Sequence, residues 1–402
     1  MQKGSDEDAA ADAPAAPIKQ VTASSDDRRL TGSDPSWRSR HAVAVHIMAT
    51  VQRSTRQLGA LVLGILALFC SQSSADDGGC TSPAQPSADQ LQGLIENLPC
   101  PQTGRVSFDT SDNLGDSMAA LDTIADPAGG YLGVYHTTFH PHSGSGAVDF
   151  RISLAQSIDL IHWTLVEVLD PSGASMPTLR PIPGAPGYLL AYEKRIGHGD
   201  VVRIRYYGTL DDLLGGRFAA QVDLPRMFSP FNNGTPTILW TRWNHGLRRS
   251  VIELGFHYQT ATKKGRPGPD REALGLLRGF DRWSARTDPS TDAALDRQGL
   301  SGSHGDWRQF RFGGDHWRLY EAQTSYNDFG TWRVVLDSPA SDRLYSVTPT
   351  MEAQTVSSSF ANPIAHEEPA PDGHGQVLVV TMFLFSAQGP GAAGELDYYQ
   401  PA

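Results

Sequence analysis

The stretches GYLLAYEKR (187–195) and DHWRLYEAQ (315–323) are apolar-aromatic runs that each end in the same pair, Tyr192-Glu193 and Tyr320-Glu321. Two further runs belong with them, YLGVYH ending at His136 and IELGFH ending at His257. The four end residues stand 57, 64 and 64 positions apart, and another 61 positions on VLVVTMFLF carries Met382 at the corresponding place. A period of this size is the mark of one supersecondary unit repeated along the chain.

A second set of landmarks precedes the runs. These are ADP (125–127), MPT (176–178), TPT (235–237) and NP (362–363), with GDWR (305–308) in the fourth unit. Proline is accepted at the first residue of a strand, where its missing N–H breaks no ladder bond. Gly/Pro/Asp turns such as PGAPGY and FGGDHW lead into the aromatic runs, and alternating segments such as VVRIRYYG follow them. Each unit therefore reads as several antiparallel strands joined by tight turns. Five units over residues 104–402 predict an all-β fold, a five-bladed β-propeller closed radially so that no long edge is exposed. RVSFDT (105–110) is expected to complete the last blade beside ELDYYQ (395–400). The stretch from about 261 to 299, with KKGRPGPDRE and RTDPSTDAALDRQG, reads as a surface insertion in the third unit.

Composition narrows the function. The chain has 402 residues, 40 Gly, 27 Pro and a formal net charge of −11. Sequence-independent nucleic-acid binding needs a basic face that displaces counterions, and no long Lys/Arg block is present, so no nucleic-acid partner is expected. Residues 1–47 are polar and aperiodic and read as disordered. Residues 48–75 have the three-part layout of a secretory signal peptide: Arg53 and Arg56, an apolar run from Leu58 to Cys70, then small residues to Ala75. That run of 13 residues is short for a bilayer span, although a signal anchor is the alternative. The expectation is a secreted monomer without stable membrane insertion. A linker (76–103) follows, in which Cys80 and Cys100 form a disulfide or remain thiols.

In an antiparallel blade the start of the first strand lies beside the end of the second. Asp126, Thr178, Thr235, Asp306 and Asn362 are thus expected to share one mouth with His136, Glu193, His257 and Glu321. Carboxylates crowded at such a mouth shift one another's pKa, as acid/base work requires. Arg308 could pair with them, and Trp240 could stack on a ligand or serve as packing. His140 and His142 lack a third ligand at motif spacing, so no metal or other cofactor is expected, apart from a possible calcium ion among the carboxylates. The sequon at Asn233 lies at the same mouth.

The first unit, ADPAGGYLGVYHT followed by FRISLAQSIDLIHW, resembles family 43 glycoside hydrolases and their five-bladed relatives, with Ala155, Ser157, Asp159, Leu160 and Trp163 matching the segment A-S-x-D-L-x-x-W. The resemblance implies a carbohydrate partner and matches Asp126 to the general base at the first opening. At the second opening the family's aspartate is replaced by Thr178, and at the third NNGTPT offers no carboxylate. Glycoside hydrolysis needs two carboxyl groups, which makes Glu193 and Glu321 the candidate acids beside Asp126. The alternatives are a sugar-binding propeller without catalysis, or a structural module with an axial ion.

Overall fold

The computed structural model describes residues 88–99, 102–140, 148–338, 343–385 and 394–402. The segments read as disordered tail and signal peptide, all three cysteines and His142 lie outside these residues. The described chain forms five four-stranded antiparallel sheets arranged as a five-bladed β-propeller. Blade I is β2 (Ala119–Ala125), β3 (Tyr131–Phe139), β4 (Asp149–Ser157) and β5 (Thr164–Asp170). Blade II is β6 (Ala174–Pro181), β7 (Tyr188–Ile196), β8 (Gly199–Tyr207) and β9 (Ala220–Asp223). Blade III is β10 (Asn233–Arg242), β11 (Val251–Ala261), β12 (Pro267–Arg278) and β13 (Arg282–Thr287). Blade IV is β14 (His304–Phe312), β15 (Asp315–Gln323), β16 (Trp332–Ser338) and β17 (Arg343–Ser346). Blade V is β18 (Phe360–Pro369), β19 (Gln376–Leu384) and β20 (Gly394–Pro401), completed by β1 (Arg105–Phe108) in the register Arg105 to Tyr399. The ring is thus closed by the strand the sequence nominated.

The core consists of five separate clusters, one at each blade junction. The junction of blades III and IV is the thinnest, with six buried apolar residues where the others have ten to nineteen. Two sequence expectations need correction here. The supposed insertion supplies β12, β13 and the helix α2 (Pro289–Arg297), of which β12 and β13 are the outer half of blade III. The linker carries a docked helix, α1 (Ala88–Glu96), whose Leu91 and Ile95 are buried in the cluster between blades IV and V, with Tyr398 donating to the Ile95 carbonyl.

The A-S-x-D-L-x-x-W segment makes the β4–β5 turn. Ser157 Oγ accepts the N–H groups of Asp159 and Leu160, and Asp159 Oδ1 accepts those of Ile161 and His162. Trp163 packs close enough against β3 that a β-carbon at Gly133 would meet its ring at 2.8 Å. The segment is therefore an architectural device that sets the spacing of β3 to β5.

Candidate functional site

The inner strands β2, β6, β10, β14 and β18 surround the axis, each starting at a mouth end and finishing at a hairpin-turn end. All five carry a bulge at the same place. The register breaks between Ala119 and Asp122, Ser175 and Thr178, Gly234 and Thr237, His304 and Trp307, and Ala361 and Ile364. In four blades the bulged residue has a left-handed backbone: Ala120 (φ 51), Met176 (φ 53), Thr235 (φ 34) and Asn362 (φ 50). In three of these Pro177, Pro236 or Pro363 comes next, at a position where the ladder is already interrupted.

The bulge turns a backbone N–H out of its own ladder, and the preceding blade receives it. Met176 N–H donates to His136 Nδ1 at 3.4 Å, and Thr235 N–H to Glu193 Oε1 at 2.8 Å. Asn362 N–H donates to Glu321 Oε2, and Leu121 N–H to Glu395 Oε1 at 3.2 Å. The recurring His/Glu position is thus a set of latches from one blade to the next, with Glu395 of β20 taking over at the ring closure. A left-handed non-glycine residue costs about 1–3 kcal/mol, and the latch helps to hold it. In blade V the register places Phe383, opposite Ala361, at the latch position, one residue beyond Met382.

The III–IV junction departs from this pattern. His257 makes no such bond, and its Nδ1 is buried without a hydrogen-bond partner, as is Asp306 Oδ2. The Asp306 N–H goes to Glu321 of its own blade. His257 is instead drawn toward Glu193: a β-carbon at Gly234 would run into both His257 Nε2 and Glu193 Oε1. Glu193 also accepts from Ser175 Oγ at 2.9 Å and from Thr235 Oγ1 at 3.1 Å. Asp200 of β8, which the repeat did not reveal, joins this group. Burial and the nearby Glu193 raise its carboxyl to about 6, against Arg195, Arg226 and His257.

Depth separates these groups. Glu193, His257 and Asp200 are half-buried, whereas Asp306, Glu321, Thr178, Thr235, Asn362 and His136 are at most 8% exposed. Burial raises Asp306 to about 6, with Glu193 adding to the rise and Arg308 and His257 opposing it. Burial and Asp306 hold Glu321 well above the usual carboxylate range. Burial lowers the His136 imidazole to about 4, so it is neutral when it accepts the Met176 N–H.

Below the latches the axis is bolted by charge. Asp122 lies at the register position of Thr178 and is fully buried. It binds Arg180 Nη1 at 2.9 Å, His366 Nε2 at 2.5 Å and the Leu179 N–H at 2.9 Å. Burial alone would raise this carboxyl, but Arg180 and His366 hold it well below its usual value. Arg308 is wholly buried and crosses the axis from blade IV to donate to the Pro177 carbonyl of blade II at 3.4 Å. Toward the turn end lies a cavity of about 400 Å³, lined by Arg180, Arg311, His366 and Glu368 among others.

Two predicted residues lie elsewhere. Asp126 follows β2 at its turn end, where its carboxyl accepts from the Ala128 N–H and Gln156 Nε2. At about 3.3 Å per residue this is roughly 20 Å from the row of Ala119 and His136. The ADP landmark marks a hairpin turn; the first-blade opening that matches Met176 and Thr235 is Ala120, followed by Leu121 rather than proline. Trp240 is 43% exposed near the turn end of β10, far from Thr235. Asn233 is 2% exposed, so its side chain is not presented for a glycan in the folded chain.

No protein-family model and no curated protein matches the chain. Among solved structures it is similar to a thermostable family-43 glycoside hydrolase, at 10% identity and TM-score 0.43, over 73% of this chain and 91% of that one. It is similar to a β-1,2-mannobiose phosphorylase from Listeria innocua in complex with β-1,2-mannobiose (11%, TM-score 0.45, 77% and 93%). A GH62 hydrolase in complex with xylotriose is also similar (8%, TM-score 0.41, 73% and 94%). The fold itself rests on the strand register, and the site on its own side chains.

Proposed function

We propose that this chain is a secreted carbohydrate-binding β-propeller with a glycoside hydrolase-like frame, and that it holds a glycan at the mouth without cleaving it. The observation that carries this reading is that His257 of blade III, which latches nothing in blade IV, sits half-buried beside Glu193 and Asp200 of blade II. Half-buried carboxylates accept hydrogen bonds from vicinal sugar hydroxyls, and a neutral imidazole both donates and accepts. Hydrolysis makes a further demand, a proton donor and a second carboxyl group flanking one glycosidic bond. The bulges of the first three blades hold Ala120, Met176 and Thr235, none of them acidic, and Asp122, at the register position of Thr178, is fully buried and bound to Arg180 and His366. Asp306 has the raised pKa of an acid but is 3% exposed, beneath the groups a sugar would reach.

The test is a glycan array and a reducing-sugar assay on the same panel. Wild type is expected to bind at least one glycan and release no sugar. His257→Ala and Glu193→Gln are expected to weaken binding about tenfold or more. Sugar release that disappears in Asp306→Asn would overturn the binding-only reading in favour of an enzyme. Absence of binding across neutral and acidic glycans would remove the carbohydrate reading itself.

A further inference from the structure

The turn end of blade III carries an arginine surface that the mouth does not use. Strand register fixes its layout. Arg242 of β10 pairs with Val251 of β11, which pairs with Arg278 of β12, which pairs with Arg282 of β13. Paired residues project to the same side of a sheet, so one row across four strands presents three guanidinium groups. At about 4.8 Å per strand, the row spans roughly 15 Å.

The side of the sheet is also fixed. Ile252, Leu254 and Leu277 pack into the cluster shared with blade II, whereas Leu274 packs into the cluster shared with blade IV. By strand alternation, Arg278, Arg282 and Arg286 lie on the blade IV side with Arg242. Trp240, two residues before Arg242 on this side, is 43% exposed. Arg248 and Arg249 stand in the β10–β11 loop next to the row, because the Gly279 N–H that follows Arg278 donates to Ser250 O.

These arginines are largely unspent. All six are exposed. Arg242, Arg248 and Arg249 make no ion pair among the described residues, and Arg282 meets Asp281 only at 3.7 Å, with both side chains three-quarters exposed. On blade III, Glu253, Asp281 and Asp288 stand against six arginines, and Asp337 on the facing side of blade IV is paired with Arg318 at 3.7 Å, in a chain whose net charge is −11. Charged residues on an outer strand also discourage edge pairing. That accounts for Arg282 and Arg286 on β13, but not for Arg242, Arg248 and Arg249, which lie on or beside the inner strands.

We propose that this face is a second binding surface, for a carboxylate-bearing polysaccharide. The planar guanidinium fork matches a carboxylate bidentately, a row about 15 Å long suits a linear polymer rather than a single sugar, and an exposed indole offers a stacking plane for a pyranose face. The densely charged backbone of nucleic acid fits less well, because the remainder of the chain is acidic and repels it. The proposal stands apart from the mouth and does not rest on it.

The test uses the full chain and polygalacturonate, measured by affinity electrophoresis and titration at low and high salt, with methyl-esterified polygalacturonate and single-stranded DNA as comparison polymers. Wild type is expected to bind polygalacturonate, to lose at least tenfold in affinity as salt is raised, and to bind the esterified polymer at least tenfold more weakly. The triple variant Arg242→Ser, Arg248→Ser, Arg249→Ser is expected to lose at least tenfold in affinity with an unchanged melting temperature. The corresponding triple Arg→Lys variant is expected to bind between wild type and the triple serine variant, since an ammonium keeps the charge but not the bidentate fork. Equal binding by the triple serine variant, no binding of polygalacturonate by wild type at low salt, or tighter binding of DNA than of polygalacturonate would each overturn the proposal.

Discussion

Glu321 offers the sharpest test of whether the recurring Tyr-Glu pair is chemical or mechanical. Its buried carboxyl receives two backbone N–H groups, Asn362 from blade V and Asp306 from its own blade. Glu321→Ala removes both acceptors and admits no obvious substitute at a site 4% exposed. Each stranded donor costs about 1–3 kcal/mol, so the loss is roughly 2–6 kcal/mol in all. Glu321→Gln keeps an acceptor oxygen at nearly the same place. Burial and Asp306 push this carboxyl well above the usual carboxylate range, toward the neutral form that the amide resembles, so at most one donor loses its acceptor and the expected cost is no more than about 1–3 kcal/mol. Equilibrium urea unfolding at pH 7 separates the two, read as a shift in midpoint at constant slope. Equal, large losses in both variants would mean that Glu321 acts as a buried anion, and an alanine variant as stable as wild type would refute the latch.

Two further outcomes follow from the same geometry. Asp306, Glu368 and Asp397, raised by burial to about 6, 7 and 8, bind protons more tightly folded than unfolded, so stability should fall as pH rises from about 4 toward 8. Asp122, held low by its partners, contributes stability above its ordinary value of 3.8 that is lost only in stronger acid. Melting temperature should therefore peak in mildly acidic buffer, and a maximum at pH 8 or above would contradict these assignments. Asp122→Ala takes the counter-ion from the half-buried Arg180 and the acceptor from the buried Leu179 N–H, and should cost about 3–5 kcal/mol, measured by urea unfolding; a loss under 1 kcal/mol would show that the axis is not bolted by this pair.

The frame was legible because the second strands are the most regular part of each blade. Runs such as YLLAYE are buried on both faces, so their apolar pattern and their end residue repeat together. The outer strands of blade III were not legible for the opposite reason. β13 alternates exposed arginine and serine with half-buried tryptophan and alanine, which reads as loop when no neighbouring blade is in view. Asp126 was misplaced through proline. Proline marks the bulge in blades II, III and V, but the first blade has Leu121 there, and its Asp-Pro pair belongs to a turn at the other end of the strand.

By itself the sequence determined the blade number, the strand that closes the ring and the His/Glu positions that recur in the first four blades, since all three are encoded in local pattern and spacing. Only the tertiary structure decided what those residues do. Whether a glutamate faces solvent or captures the N–H of a bulge is a relation between two blades, and residues 41 positions apart, Glu321 and Asn362, carry no mark of it in the chain. The axial bolt is more distant still, joining Asp122 to His366 across 244 positions. Burial in that crowded axis then sets the protonation of each carboxyl.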